Sequence, residues 1–272
     1  MGNSVARRTV AIVIGSAELG SAIAIQLDRA GMAVVLCDEV DPGCLRRGMS
    51  FSDAWYVGAA FLAGSRAVFC SNAKSIPTVI ANRGPIAATT WSWHGLAKIV
   101  APVVIIDARS EHVGPPPRLR ALAPEGTLTI GATPWHSAGE NAHVAIWPWP
   151  TKYADFHSLE RRVAWDPLSQ DPHRCGVRAP DSGRFCTARN IGDYVLPGSP
   201  IGVAGRSLIA APVAGVLSGL LAPGSRVKPH TVVAEVDTRG HTASCFSVAK
   251  WCESVAGNIA SMVTACEDRA VA

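Results

Sequence analysis

Hydrophobic residues recur along this chain in two rhythms. Residues 9–14 (Thr9-Val10-Ala11-Ile12-Val13-Ile14) are a continuous, largely β-branched run closed by Gly15. That is the pattern of a central parallel strand buried on both faces. From Leu19 to Ala30 the apolar positions Leu19, Ala22, Ile23, Ile25, Leu27 and Ala30 follow a helical period, and Gly31 stands where a helix C-cap belongs. Ala33-Val34-Val35-Leu36-Cys37 then reads as a second buried strand, ending in the acidic pair Asp38-Glu39. The three elements form a β-α-β unit, and its right-handed crossover makes the strands parallel neighbours. Further short runs at Ala67–Phe69, Thr78–Ile80, Val103–Ile106, Thr127–Ile130 and Val144–Ile146 are predicted strands. Strands alternating with helix-length segments predict an α/β fold of Rossmann-like type over residues 1–150.

The rhythm then breaks. Trp147-Pro148-Trp149-Pro150, Asp166-Pro167 and Asp171-Pro172 mark a linker over 151–176, with one short helix near Phe156–Val163. Beyond it the chain matches itself at a shift of 32 residues: Ala179-Pro180 with Ala211-Pro212, Gly183 with Gly215, Gly192 with Gly224, Asp193 with Ser225, Val195 with Val227 and Pro197 with Pro229. The recurring glycines and prolines are those that turns require. Residues 177–240 are therefore read as a small all-β domain of two strand–turn–strand halves, which bury their apolar sides against each other. This pattern resembles the biotinyl/lipoyl-like barrel-sandwich hybrid. Covalent carriers of that kind present a lysine between the halves, whereas Ile201–Leu208 contains none, so no covalent biotin or lipoate is expected. Residues 241–272 are expected to be a helical segment packing back on the protein.

Composition adds limits. Of 272 residues 48% are hydrophobic and 17% charged, which suits a well-buried core. The net charge of +4 is spread in short pairs such as Arg7-Arg8 and Arg161-Arg162, a distribution that excludes nucleic-acid binding and admits an anionic small ligand. No run of about 18 apolar residues suggests a membrane span. The N-terminal run, broken by Gly15 and Glu18, reads as the start of a nucleotide-binding unit rather than a leader, so a cytoplasmic location is expected. The eight cysteines form no C-x-x-C pair and sit near no histidines at zinc-finger spacing, and are read as reduced, mostly buried thiols.

Candidate chemistry concentrates at strand ends. Gly15-Ser16-Ala17-Glu18-Leu19-Gly20 is a dinucleotide-type turn with Ala17 in place of the second glycine. Amides at the start of the helix offer an anion site, and Asp38 or Glu39, about 20 residues on, stands where a carboxylate reaches a ribose hydroxyl. Arg46 and Arg47 are candidate phosphate clamps. Asp107 ends a buried strand at the same edge and is a candidate ligand contact. His136, with Ser137 and Glu140 nearby, fits no hydrolase elbow. Trp91, Trp93, Trp135, Trp147 and Trp149 are candidates for an aromatic partner surface, and His94 adjoins the second of them. No set of residues has metal-ligand spacing.

Several segments in order carry a family resemblance: Val13–Gly20, Leu27–Gly31, Leu45–Ala54, Val103–Arg109, Glu235–Gly240 and Cys245–Ser247. With them the chain resembles the XdhC-like accessory proteins of molybdenum hydroxylases, in the YqeB-like branch called selenium-dependent molybdenum hydroxylase system protein. The resemblance implies a non-catalytic bacterial-type maturation role: handling or inserting an anionic molybdopterin-type cofactor, or helping to install sulfur or selenium on its metal, in contact with the apoenzyme. Where the family carries a glycine-proline-glycine-phenylalanine loop and then Glu-Thr-x-Arg-Gly-His, this chain reads Gly131–Glu140 and Ile146–Lys152 and lacks that Arg and His. Where the turn acid is usually aspartate, it carries Glu18. Two other readings stand beside this one. One is a non-catalytic subunit or scaffold of another metabolic complex. The other is an NAD(P)-binding oxidoreductase, against which no Tyr-x-x-x-Lys or comparable constellation is visible.

Overall fold

The β-branched run before Gly15 is strand β1 (Val10–Ile14) in the computed structural model, which describes residues 8–81, 84–109, 118–146 and 171–271. Helix α1 (Glu18–Arg29) follows, and Gly31, with φ of 95°, turns the chain into β2 (Ala33–Cys37), parallel to β1 from Val10↔Ala33 to Ile14↔Cys37. Six more strands complete the sheet: β3 (Ala59–Leu62), β4 (Ser65–Phe69), β5 (Ile86–Thr89), β6 (Val104–Asp107), β7 (Leu128–Gly131) and β8 (Val144–Ala145), with the one-turn helices α2 (Ala54–Val57) before β3 and α5 (Leu119–Leu122) before β7. The spatial order is β3-β4-β5-β2-β1-β6-β7-β8; all neighbours are parallel except the edge pair β3–β4.

Successive β1 side chains point to opposite faces and so to two cores. Ala11 and Val13 join Ile23 and Leu27 of α1, while Val10, Ile12 and Ile14 join Ile76, Leu96 and Val100 from α3 (Ile76–Val79) and α4 (Trp93–Val100). The long C-terminal helix α6 (Lys250–Val271) lies on α1. Its Cys252, Ala256, Ile259, Ala260 and Val263, spaced as one helical stripe, are buried in the first core.

Thr78-Val79-Ile80 is not a strand. Asn72 caps a 3-10 turn at Ala73–Ser75, Pro77 occupies the first turn of α3, and Ile76 and Ile80, one helical turn apart, both enter the core. Helical burial outweighs the β-branched run. The short helix expected near Phe156–Val163 lies outside the described residues.

Past residue 171 the chain forms two antiparallel four-stranded sheets. Their strands are β9 (Arg174–Arg178), β10 (Gly183–Cys186), β11 (Tyr194–Val195), β12 (Pro200–Ala204), β13 (Ser207–Ala210), β14 (Gly215–Leu220), β15 (Arg226–Val227) and β16 (Val232–Asp237). One sheet runs β13-β12-β10-β15 and the other β9-β16-β14-β11. The shift of 32 residues carries each strand of the first onto the corresponding strand of the second. Registers follow the same rule: Phe185↔Ala204 answers Leu217↔Val236, Gly183↔Val227 answers Gly215↔Val195, and the irregularity between Pro200 and Gly202 answers that between Val232 and Ala234. Each half lends two strands, β9 and β11 or β13 and β15, to the sheet of the other. The repeat keeps Gly183 and Gly215 for one reason: a Cβ at Gly183 would meet the backbone of Gly205, and one at Gly215 that of the equivalent Asp237.

Candidate functional site

In an open α/β sheet, ligands settle outside the carboxyl ends of the strands where the strand order reverses. Here that point lies between β1 and β6. Gly15 makes the turn with φ of 100°, and the segment after β6 crosses directly over it. Ala108 N–H donates to the Ile14 carbonyl at 2.9 Å, and a Cβ on Gly15 would stand 3.0 Å from Arg109 Cα. Gly20 packs α1 onto the turn so closely that a Cβ would collide with the Gly15 carbonyl.

Asp38, at the end of β2, reaches back to this turn. Its Oδ2 accepts from Ser16 N at 2.6 Å and Ser16 Oγ at 2.7 Å, and its Oδ1 from Glu39 N at 2.8 Å. Burial pushes the Asp38 carboxyl up, and the Ser16 donors only partly oppose this. Glu39 itself is exposed. Asp107 is fully buried and is held by Arg109, whose Nε donates to Oδ1 at 2.9 Å and Nη2 to Oδ2 at 2.6 Å. His136 Nε2 lies 3.6 Å from Asp107 Oδ2, and its Nδ1 is 2.7 Å from Thr133 Oγ1. His136 thus belongs to Asp107 and Thr133, and Ser137 N–H bonds Asn141 instead. Cys37 sits beside this group; burial first, then Asp38 and Asp107, push its thiol up, which favours the protonated form.

The remaining candidates face another way. Glu18, in the first turn of α1, is bound by Arg46 Nη1 at 3.1 and 3.3 Å. Arg46 Nε and Nη2 both donate to Glu235 Oε2 on β16, at 3.0 and 2.9 Å. Ser218 Oγ donates to Glu235 Oε1 at 2.5 Å, and Arg174 Nη1 stands 3.4 Å from the same oxygen. Two carboxylates and two guanidiniums thus close a nearly dry cluster between the parallel sheet and the antiparallel ones. Burial works against the Arg46 charge, but Glu18 and Glu235 more than restore it. Glu18, the more loosely held carboxylate, is raised by burial despite Arg46. Arg47 donates through Nε to the Leu220 carbonyl at 2.9 Å and pairs with Asp53. Both guanidinium groups expected to clamp a phosphate are therefore engaged by protein partners.

The structure brings together Gly15, Ser16 and Asp38, with Asp107 beside them, and separately Glu18 with Arg46. Sequence reasoning missed Arg109 and His136 in the first group, and Glu235, Arg174 and Ser218 in the second. Trp91 is exposed beyond β5, while Trp135 follows β7 on the far side of β2, β1 and β6, so these two share no patch; Trp147 and Trp149 lie outside the described residues. Among the described residues no three His, Cys, Asp or Glu side chains group to hold a metal, and no helix is long and apolar enough to cross a membrane. All eight cysteines are free.

The chain is similar to the uncharacterized protein YqeB of Escherichia coli (strain K12). The two are 25% identical over 255 residues, 91% of this chain and 46% of YqeB. The chain thus spans about half the length of the curated relative it matches. No family model matches it.

Proposed function

We propose that this chain is a non-catalytic accessory protein for a molybdenum hydroxylase, acting in cofactor handling or assembly. In this reading the parallel sheet is a Rossmann-type unit and the twofold repeat a barrel-sandwich hybrid. One observation carries the reading. The segments behind the family resemblance lie far apart in sequence, yet they meet in space. The Gly15–Gly20 turn supplies Glu18, Leu45–Ala54 supplies Arg46, and Glu235–Gly240 supplies Glu235. Cys245–Ser247 lies against the same loop, since a Cβ on Gly48 would collide with the Cys245 carbonyl and the Phe246 ring. Such convergence supports retention of one assembled junction rather than of scattered motifs.

The crevice selects among ligands. Ser16 N–H already serves Asp38, Ala17 replaces the fingerprint glycine, and Glu18 places a second carboxylate in the first turn. These residues do not fit a bare pyrophosphate at the turn, which disfavours the dinucleotide reading. They fit a ligand offering N–H or O–H donors to Asp38 and an anionic group to Arg109, whose side chain remains 28% exposed. A pterin bearing a phosphate has both, and in this reading Asp38 and Arg109 would hold it.

The test is deletion of the gene in its own organism, followed by assay of molybdenum hydroxylase activity and metal content. The reading expects activity to collapse and to return with the wild-type gene. Full activity and full metal content in the deletion strain contradict it. Calorimetric titration with NAD and NADP separates the oxidoreductase alternative, for which binding heat is required.

A further inference from the structure

The repeat creates two equivalent outer sheet faces, and among the described residues only one is covered. On the β9-β16-β14-β11 sheet, Glu235 is 1% exposed because Leu45–Arg47 lies across it: Arg46 binds the carboxylate, and Leu220 N–H donates to the Leu45 carbonyl at 2.7 Å. The shift of 32 residues carries Glu235 onto Val203, Ser218 onto Cys186 and Gly176 onto Leu208. On the other sheet these three form one row, Cys186↔Val203 and Val203↔Leu208 being directly paired. Val203 is 37% and Leu208 66% exposed, and Cys186 is exposed too. Beside the row, on the same face, Arg184 pairs across strands with Arg226, both exposed. Like charges directly opposite are unfavourable on their own. The four strands of this sheet contain no Asp or Glu.

We infer that this uncovered face, Cys186–Val203–Leu208 flanked by Arg184 and Arg226, docks an apolar segment edged with carboxylates on the client enzyme. The inference rests on the accessory reading above. It follows from charge complementarity and from the equivalent face. There a carboxylate on the sheet receives an arginine from an apolar loop; here arginines on the sheet await carboxylates, and the apolar row replaces the Glu235 position. The polarity is reversed, so this face does not take a second copy of the Leu45–Arg47 loop.

The experiment complements the deletion strain with full-length chains carrying V203D/L208D, R184E/R226E or, as a control on exposed residues of the parallel-sheet half, V57D/F61D. Circular dichroism of each purified variant verifies folding. The C266S variant, labelled at the remaining exposed cysteine, Cys186, with a maleimide photo-crosslinker, is irradiated in extract, and adducts are mapped by mass spectrometry. The inference expects rescue to fall at least tenfold for both face variants and to stay full for the control. It also expects adducts on a hydroxylase segment containing Asp or Glu. Full rescue by both face variants beside a deletion strain that has lost activity overturns the inference alone. So do adducts confined to a second copy of this chain, a membrane fraction or an arginine-rich segment. An intact deletion strain removes the accessory reading, and this inference with it.

Discussion

Two pairs of carboxylates, each with one fully buried member, Asp107 and Glu235, are satisfied in opposite ways. At the crevice, Asp107 is held by Arg109, two residues along, and Asp38 by the backbone and hydroxyl of Ser16. At the junction, Glu18 and Glu235 share Arg46, which is 28 residues from one and 189 from the other. The crevice is wired within the first β-α-β unit and at the end of β6, and Arg109 there keeps 28% of its side chain exposed. The junction is wired across the whole chain and is nearly dry, so its charges serve assembly. Sequence reasoning assigned Arg46 to ligand binding; the geometry makes it an interlock.

The largest expected effect breaks the junction. Arg46→Ala leaves two buried carboxylates without their shared cation and is expected to cost about 3–5 kcal/mol, read from the denaturant midpoint. Replacing Arg46, Glu18 and Glu235 together by Met, Leu and Leu should return stability to within about 2 kcal/mol of wild type or above it, because the one cation left, Arg174, keeps Asp171 at 3.1 Å. A triple variant as weak as Arg46→Ala would contradict the interlock. At the crevice, Arg109→Ala should cost less, about 2 kcal/mol, since Asp107 keeps the Arg109 amide at 3.2 Å and His136 nearby. Equal losses at the two sites in chemical denaturation would erase the contrast.

The smallest effect is in the pH profile. Burial raises the Asp38 carboxyl, so the folded state binds its proton more tightly than the unfolded chain does. Relative to Asp38→Asn, wild type should therefore gain stability as pH falls from 7 through the raised folded value toward the ordinary 3.8. Asp237 runs the other way: burial raises it, but bonds from Arg239 more than offset this and hold it low. Relative to Asp237→Asn, wild type should keep its advantage above about pH 4 and lose it below, as Asp237 protonates. Urea titrations at several pH values distinguish the two slopes.

The extent of legibility follows from the range of each interaction. β1, α1 and β2 were readable because their burial is a local rhythm, and Gly31 adopts the positive φ its position implied. The repeat was readable because the same backbone crossings demand glycine at 183 and 215. β5 was missed because Ile86-Ala87-Ala88-Thr89 has weak strand propensity and is a strand by burial between β2 and β4. Thr78–Ile80 misled because β-branched residues also fill a short helix whose Ile76 and Ile80 face the core. The Arg46–Glu235 pair had no local signature. Both residues lay in segments that carried the family resemblance, but nothing in their spacing shows that they touch.

Direct coupling between Arg46 and Glu235 holds the junction, and a double-mutant cycle measures it. Stabilities of wild type, Arg46→Met, Glu235→Leu and the double variant give the interaction free energy. The interlock predicts a favourable coupling of about 2 kcal/mol or more, with the double variant more stable than the sum of the single losses allows. Additive losses, with coupling below about 0.5 kcal/mol, would mean that the two residues do not meet and that the junction is not held this way.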